Sequence, residues 1–157
     1  MATLTFHAPL LRAIADRMAL PPIAESARAA GIIGVYRFSV HYFDGRAHDS
    51  VATLRHVSTG AWIEVHYDHQ PQKPVITPIP LDRYQLLVKA FVRLQFDKMS
   101  DQDNLSSYDS TDLWLVERAA GTFVHSVILA PALATGVHNG LANAIRHALP
   151  EALEMVK

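Results

Sequence analysis

The chain has 157 residues, of which 50% are hydrophobic and 18% are charged, with a formal net charge of −1 and no cysteine. This length fits one domain, and the apolar fraction is sufficient for a packed core, which excludes wholesale disorder. Without cysteine the chain cannot form a disulfide, a thiolate zinc site or a catalytic thiol. The nearly balanced charge argues against a dedicated nucleic-acid binder, which usually has a strongly basic surface.

The N-terminal segment does not match a targeting signal. A secretory signal needs an unbroken apolar stretch of about 7–15 residues. Here Pro9, Arg12 and Asp16 interrupt any such stretch. No window of the sequence approaches the roughly 18 consecutive apolar residues of a membrane span. We therefore expect a cytoplasmic protein that does not bind membranes.

Residues 1–30 predict a helical segment in two pieces. They are rich in alanine, and Leu10, Ile14 and Met18 recur at helical spacing. A proline pair at positions 21–22 separates the first helix from a shorter second one.

From Ile32 onward apolar and polar residues alternate with a period of two, which is typical of half-buried antiparallel strands. In the first strand Tyr36 and Phe38 lie on one face, while Arg37 and Ser39 lie on the other. Short turns separate three such strands, which together predict a meander. These strands are expected at residues 34–43, 51–57 and 61–67.

The second half of the chain predicts two helices and a hairpin. Prolines between residues 70 and 80 exclude a helix or a central strand there. An apolar stripe then predicts a long helix, and a polar, acidic loop leads to two strands joined by a glycine turn. The expected elements are a helix at 81–98, strands at 112–118 and 122–130, and a last helix at 137–149.

The element order α-βββ-α-ββ-α predicts an α+β fold. Its antiparallel sheet consists of the three-strand meander and the two-strand hairpin, and helices cover one face of the sheet. We expect a single domain over residues 1–157, with an N-terminal helical segment at 1–30 and a core at 31–149.

A run from Tyr108 to Glu117, Tyr-Asp-Ser-Thr-Asp-Leu-Trp-Leu-Val-Glu, precedes a glycine turn and a strand that ends at Ala130-Pro131. This pattern resembles a family of small uncharacterised bacterial hypothetical proteins with an Asp-Gly-x-x-Trp-x-x-Glu-like core. The likeness covers roughly residues 36–149 and implies the fold without an activity. The element order also resembles that of type III secretion chaperones, which are dimeric α+β proteins.

Nine histidines are the most unusual feature of the composition. A zinc or iron site needs three or four convergent imidazole or carboxylate ligands. His66, Asp68 and His69 form the best local cluster, at the end of the third strand, and His41 could join them from the first strand. The sequence favours the alternative of histidines on a solvated sheet surface, since His66 and His69 point to opposite faces of a regular strand. No metal is therefore predicted.

The sequence lacks the motifs of common catalytic sites. It has no Gly-x-Ser-x-Gly elbow, no His-Glu-x-x-His and no glycine-rich phosphate loop. His48, Asp49 and Ser50 are neighbours in sequence, but a catalytic triad is a spatial arrangement. The aspartates of the acidic loop match a calcium-loop frame only in part, since Ser106 replaces the required glycine. We predict no catalytic residues and no cofactor.

These features favour a non-catalytic bacterial protein-binding domain, and the specific hypothesis is an immunity protein that neutralises a toxin. The acidic loop with its aromatic neighbours suits docking to a basic site on a toxin or a secreted effector. The predicted partner-binding residues are Asp101, Asp103, Tyr108, Asp109, Asp112 and Trp114. Core packing is the alternative for Trp114, because aromatic residues carry much of the buried area. A dimeric secretion-type chaperone and a histidine-dependent metalloenzyme remain as alternative functions, and a homodimer stays open.

Overall fold

The computed structural model describes residues 4–103, 105 and 110–154. This part of the chain contains α1 (Leu4–Arg17), α2 (Ile23–Ala27), β1 (Ile32–His41), β2 (Ser50–Val57), β3 (Gly60–Tyr67), β4 (Val75–Ile79), α3 (Leu81–Arg93), β5 (Leu113–Ala120), β6 (Phe123–Leu129) and α4 (Gly136–Ala148). Short 3-10 turns lie at Phe96–Lys98, Pro131–Leu133 and Pro150–Leu153. Within the described ranges, no helix has both the length and the apolar character needed to cross a membrane.

The six described strands form one antiparallel sheet in the order β4-β3-β2-β1-β5-β6. The predicted α+β class is therefore confirmed. The predicted meander and hairpin are both present, and they are joined by pairing of β1 with β5, in which Val40 lies opposite Trp114. The predicted count of five strands is wrong, because β4 extends the meander by one strand.

Strand β4 lies in the proline-rich stretch for which no strand was predicted. It pairs with β3, with Ile76 opposite Glu64 and Pro78 opposite Trp62. A proline fits an edge strand when its nitrogen, which lacks a hydrogen, faces away from the neighbouring strand. The prolines thus exclude a central strand but are compatible with this edge position.

The helices cover both faces of the sheet, so the prediction of helices on one face is wrong. Helices α3 and α4 pack on the face that includes Tyr36 and Phe38. Helix α1 packs on the other face, where Ile14 joins a second core cluster with Leu115. The sequence pattern suggested a solvated second face because Arg37 is charged, yet only 2% of this residue is exposed.

The helix predicted at 81–98 is shorter in the structure. Helix α3 ends at Arg93, and Gln95 then adopts a left-handed conformation with φ 54° before a 3-10 turn begins. A left-handed residue is a common way to terminate a helix. The turn places Phe96 in the core against Phe91, with their ring centroids 4.6 Å apart.

Candidate functional site

Three long connections meet at one end of the sheet. Their described residues are 42–49, 68–74, 99–103, 105 and 110–112, and we call the surface that these residues form the loop end. The strand register brings them together, because His41 pairs with Leu113 and Ser50 pairs with Tyr67. Tight turns close the opposite end of the two hairpins formed by β2 with β3 and β5 with β6. Loops held by a rigid scaffold are where binding residues concentrate.

The loop end is strongly acidic. Its described residues include six aspartates and two basic residues, a formal charge of −4 when histidine is neutral. The net charge of the whole chain is −1, so the rest of the chain has a formal charge of +3. The near-neutral net charge therefore conceals a marked segregation of charge between the loop end and the remainder of the molecule.

The first of the predicted partner-binding residues has a structural role. A carboxylate oxygen of Asp101 accepts a hydrogen bond from the amide of Ile128 at 2.8 Å. The backbone amide of the neighbouring Gln102 donates a hydrogen bond to the carbonyl oxygen of Ile128, and its side-chain oxygen accepts one from the backbone amide of Ala130. These bonds satisfy backbone groups on the outer edge of β6, while Asp103 stays exposed. Of these two aspartates, Asp103 is the one available to a partner.

Asp112 connects the acidic loop to the turn after β1. It accepts hydrogen bonds from the amide of Phe43 at 3.2 Å and from the guanidinium of Arg46. Arg46 also contacts Asp44 at 2.7 Å. The hydrogen bonds to Asp112 and Asp44 raise the pKa of Arg46 above its ordinary value. Phe43 is 42% exposed beside this group of charged side chains.

The remaining predicted contacts differ in their outcome. Trp114 is only 7% exposed and belongs to the core beneath α4, where the guanidinium carbon of Arg146 lies 5.4 Å from its ring centroid. The core alternative therefore holds for Trp114, and Phe43 is an exposed aromatic side chain at the loop end that sequence reasoning missed. Its only sequence signal was its position next to the Asp44-Gly45 turn. Tyr108 and Asp109 lie outside the described residues.

The four residues considered as alternative metal ligands do not form one cluster. The Nδ1 atom of His41 lies 3.0 Å from Asp49. His66 is 7% exposed on the α1 side of the sheet, where burial lowers its pKa. Asp68 and His69 are close to each other, but their third neighbour is His48 from the turn between β1 and β2.

The trio of His48, Asp68 and His69 lies at the loop end. The two imidazole rings are stacked, with centroids 3.9 Å apart. The Nδ1 atom of His48 lies 3.2 Å from Oδ1 of Asp68. One nitrogen or oxygen atom from each residue lies within 4.8 Å of the others. This is the geometry of convergent ligands, and His48 could not be assigned to it from the sequence because the contact depends on strand register.

A cavity of about 300 Å³ lies between α1, α2 and the sheet. Its floor includes the buried Arg37, which donates to the carbonyl oxygen of Pro21 at 2.7 Å and to Oγ1 of Thr53 at 3.1 Å. Burial lowers the pKa of Arg37, and the nearby Glu117 opposes this effect. Glu117 is also bonded to Arg12 at 2.8 Å. The network ties the segment between α1 and α2 to the sheet.

A second cavity, of about 350 Å³, opens beside the end of α3. Aromatic side chains line it, and burial raises the pKa of Tyr36 at its wall. Arg118 lies among its lining residues and makes two hydrogen bonds to Asp97, at 2.8 and 2.7 Å. The charges of Arg118 and Asp97 are therefore already paired within the protein.

Comparisons with known proteins returned no match to a family model, a curated protein or a solved structure. The resemblances given above rest on sequence pattern alone. Function is therefore inferred from the geometry and charge of this chain.

Proposed function

We propose that this protein is a non-catalytic bacterial protein-binding domain, specifically an immunity protein that neutralises a toxin through the loop end. The observation that carries the proposal is the charge of −4 on the described residues of three loops at one end of the sheet, in a chain of net charge −1. Such a surface is complementary to a basic site on another protein.

Charge complementarity acts mainly on the rate and specificity of association. Steering by opposite charges can raise association rate constants from about 10⁵–10⁶ to about 10⁸–10⁹ M⁻¹s⁻¹ at low salt. The effect declines over a Debye length of about 8 Å at physiological ionic strength. An inhibitor that must capture a toxin before the toxin acts benefits from such a rate.

The contact residues follow from exposure. Asp44 and Asp103 are exposed and able to steer a basic partner, and Phe43 offers an exposed aromatic ring as an anchor. Arg46 and Asp112 hold the turn that presents Phe43. Tyr108 and Asp109 remain proposed contacts on the basis of the sequence.

Co-expression tests this proposal. The chain is expressed together with each gene product encoded beside it, and growth is scored for toxicity and rescue. We expect rescue by the wild type and reduced rescue by the double variant Asp44→Lys/Asp103→Lys. The matched control is Asp16→Lys/Glu25→Lys, which makes the same change in net charge on α1 and α2 and should rescue fully. Absence of any toxic neighbour, or full rescue by the loop-end variant, would contradict the proposal.

A dimeric secretion-type chaperone is the second candidate, and exposed apolar side chains favour it. On α3 Leu86 is 43% exposed and Val92 is 72% exposed, and on β4 Val75 and Ile76 are 52% and 59% exposed. A chaperone of this type would be a stable dimer without its cargo. Light scattering during size-exclusion chromatography separates the two functions, because the immunity proposal is compatible with a monomer and the chaperone proposal is not.

A further inference from the structure

We propose that His48, Asp68 and His69 form a zinc-binding site that links two connections of the loop end. The proposal does not depend on the protein-binding function, because it rests on the mutual positions of three side chains. Two imidazoles and one carboxylate form the donor set.

The backbone around the trio is fixed. The amide of Asp68 donates to the carbonyl oxygen of Asp49 at 3.0 Å, which joins the two connections one residue away from His48. A turn bond from the amide of Gln70 to the carbonyl oxygen of Tyr67 spans Asp68 and His69. The three ligands are therefore brought together by the fold and not by chance proximity of long, mobile side chains.

The distances suit a tetrahedral zinc ion. With metal–ligand bonds of about 2.0–2.2 Å, two ligands of one zinc lie roughly 3.3–3.5 Å apart. The separation of 3.2 Å between Nδ1 of His48 and Oδ1 of Asp68 is close to this value. The ring of His69 is stacked on that of His48 with 19° between their planes, so it must turn to aim a nitrogen at the same point. Exposed side chains make such rotations rapidly.

The donor set favours zinc over the common alkaline-earth ions. Calcium and magnesium prefer oxygen ligands, whereas imidazole nitrogen suits zinc. Three protein ligands leave a fourth position for water, as in zinc sites with an open coordination position. The side chains of His48 and Asp68 are 36% and 35% exposed, which gives an ion access from solvent.

Other described histidines are engaged differently. His125 and His138 each lie 2.8 Å from a single backbone carbonyl oxygen, those of Met99 and Ser100. Among the residues that the structure describes, the trio at the loop end is the group whose histidine and carboxylate donors converge.

Isothermal titration of the full chain with zinc chloride tests the site. We expect one zinc ion per chain, with affinity at least about 10-fold lower in each of His48→Ala, Asp68→Asn and His69→Ala, because loss of even an outer-shell partner costs 10–100-fold. The matched control is His147→Ala, at an exposed histidine of α4, which should bind zinc as the wild type does.

Thermal melting with and without zinc provides a second readout. Without zinc, the variants should have melting temperatures close to that of the wild type, because the replaced side chains are partly exposed. Zinc should raise the melting temperature of the wild type and of the His147→Ala control, and of none of the three site variants. Stoichiometric binding that survives His69→Ala, equal loss in His147→Ala, or no stoichiometric binding by the wild type would overturn the proposal.

Discussion

Replacement of Arg37 by methionine tests the buried network that joins α1 and α2 to the sheet. The change removes the hydrogen bonds to Pro21 and Thr53. It also leaves Glu117, which lies directly opposite Arg37 in the sheet and is 4% exposed, without its buried cationic neighbour. Glu117 keeps its ion pair with Arg12 at 2.8 Å, so the main loss is at the acceptors that Arg37 leaves behind. A buried polar group left without its partner typically costs about 1–3 kcal/mol. That is a large part of the roughly 5–15 kcal/mol by which a domain is stable.

The free energy of unfolding is measured by urea denaturation of Arg37→Met, Glu117→Gln and the double variant. We expect Arg37→Met to lose about 1–3 kcal/mol, because the carbonyl oxygen of Pro21 and the hydroxyl of Thr53 lose their hydrogen-bond donor. The double variant should be more stable than the sum of the single losses predicts, by roughly 0.5–3 kcal/mol for residues in one network. A loss below about 1 kcal/mol for Arg37→Met, or additive losses in the cycle, would refute the reasoning, since surface changes alone give losses of about 0.5 kcal/mol.

Two further predictions concern acid stability and the core. The hydrogen bonds from Arg118 lower the pKa of Asp97 below its ordinary value of 3.8. This ionised carboxylate therefore stabilises the fold above about pH 4, and the contribution is lost as the pH falls through the folded-state pKa. Acid titration of thermal stability should therefore show a smaller decline below pH 4 in Asp97→Asn than in the wild type, and an identical decline would contradict the pairing. Leu54 is fully buried, so Leu54→Ala should lower the free energy of unfolding, measured by urea denaturation, by about 2–5 kcal/mol. Val92 is 72% exposed, so Val92→Ala should lower it by about 0.5 kcal/mol or less. Equal losses in the two variants would contradict the assigned core.

The sequence predicted the elements whose signals are local. Alternation in β1 correctly assigned Tyr36 and Phe38 to one face, and the last helix was placed within one residue of its observed ends. Burial of the opposite face could not be predicted, because Arg37 reads as a solvated residue unless its partners are known. Those partners come from distant segments, including Pro21 and Glu117.

The candidate sites show the same limit. The acidic character of the loop was evident from the sequence, but the bond from Phe43 to Asp112 joins residues far apart in the chain. The histidine trio likewise needed the register of β2 with β3, which places Asp49 beside Asp68. The sequence already disfavoured a cluster that includes both His66 and His69, because the alternation of β3 directs them to opposite faces.

Hydrogen exchange of the chain, alone and in complex with a toxin identified by co-expression, tests the central claim most directly. We predict that protection on binding is concentrated in residues 42–49, 68–74, 99–103, 105 and 110–112, which form the acidic loop end. Protection concentrated on α3 and β4, with unchanged exchange at the loop end, would contradict the claim.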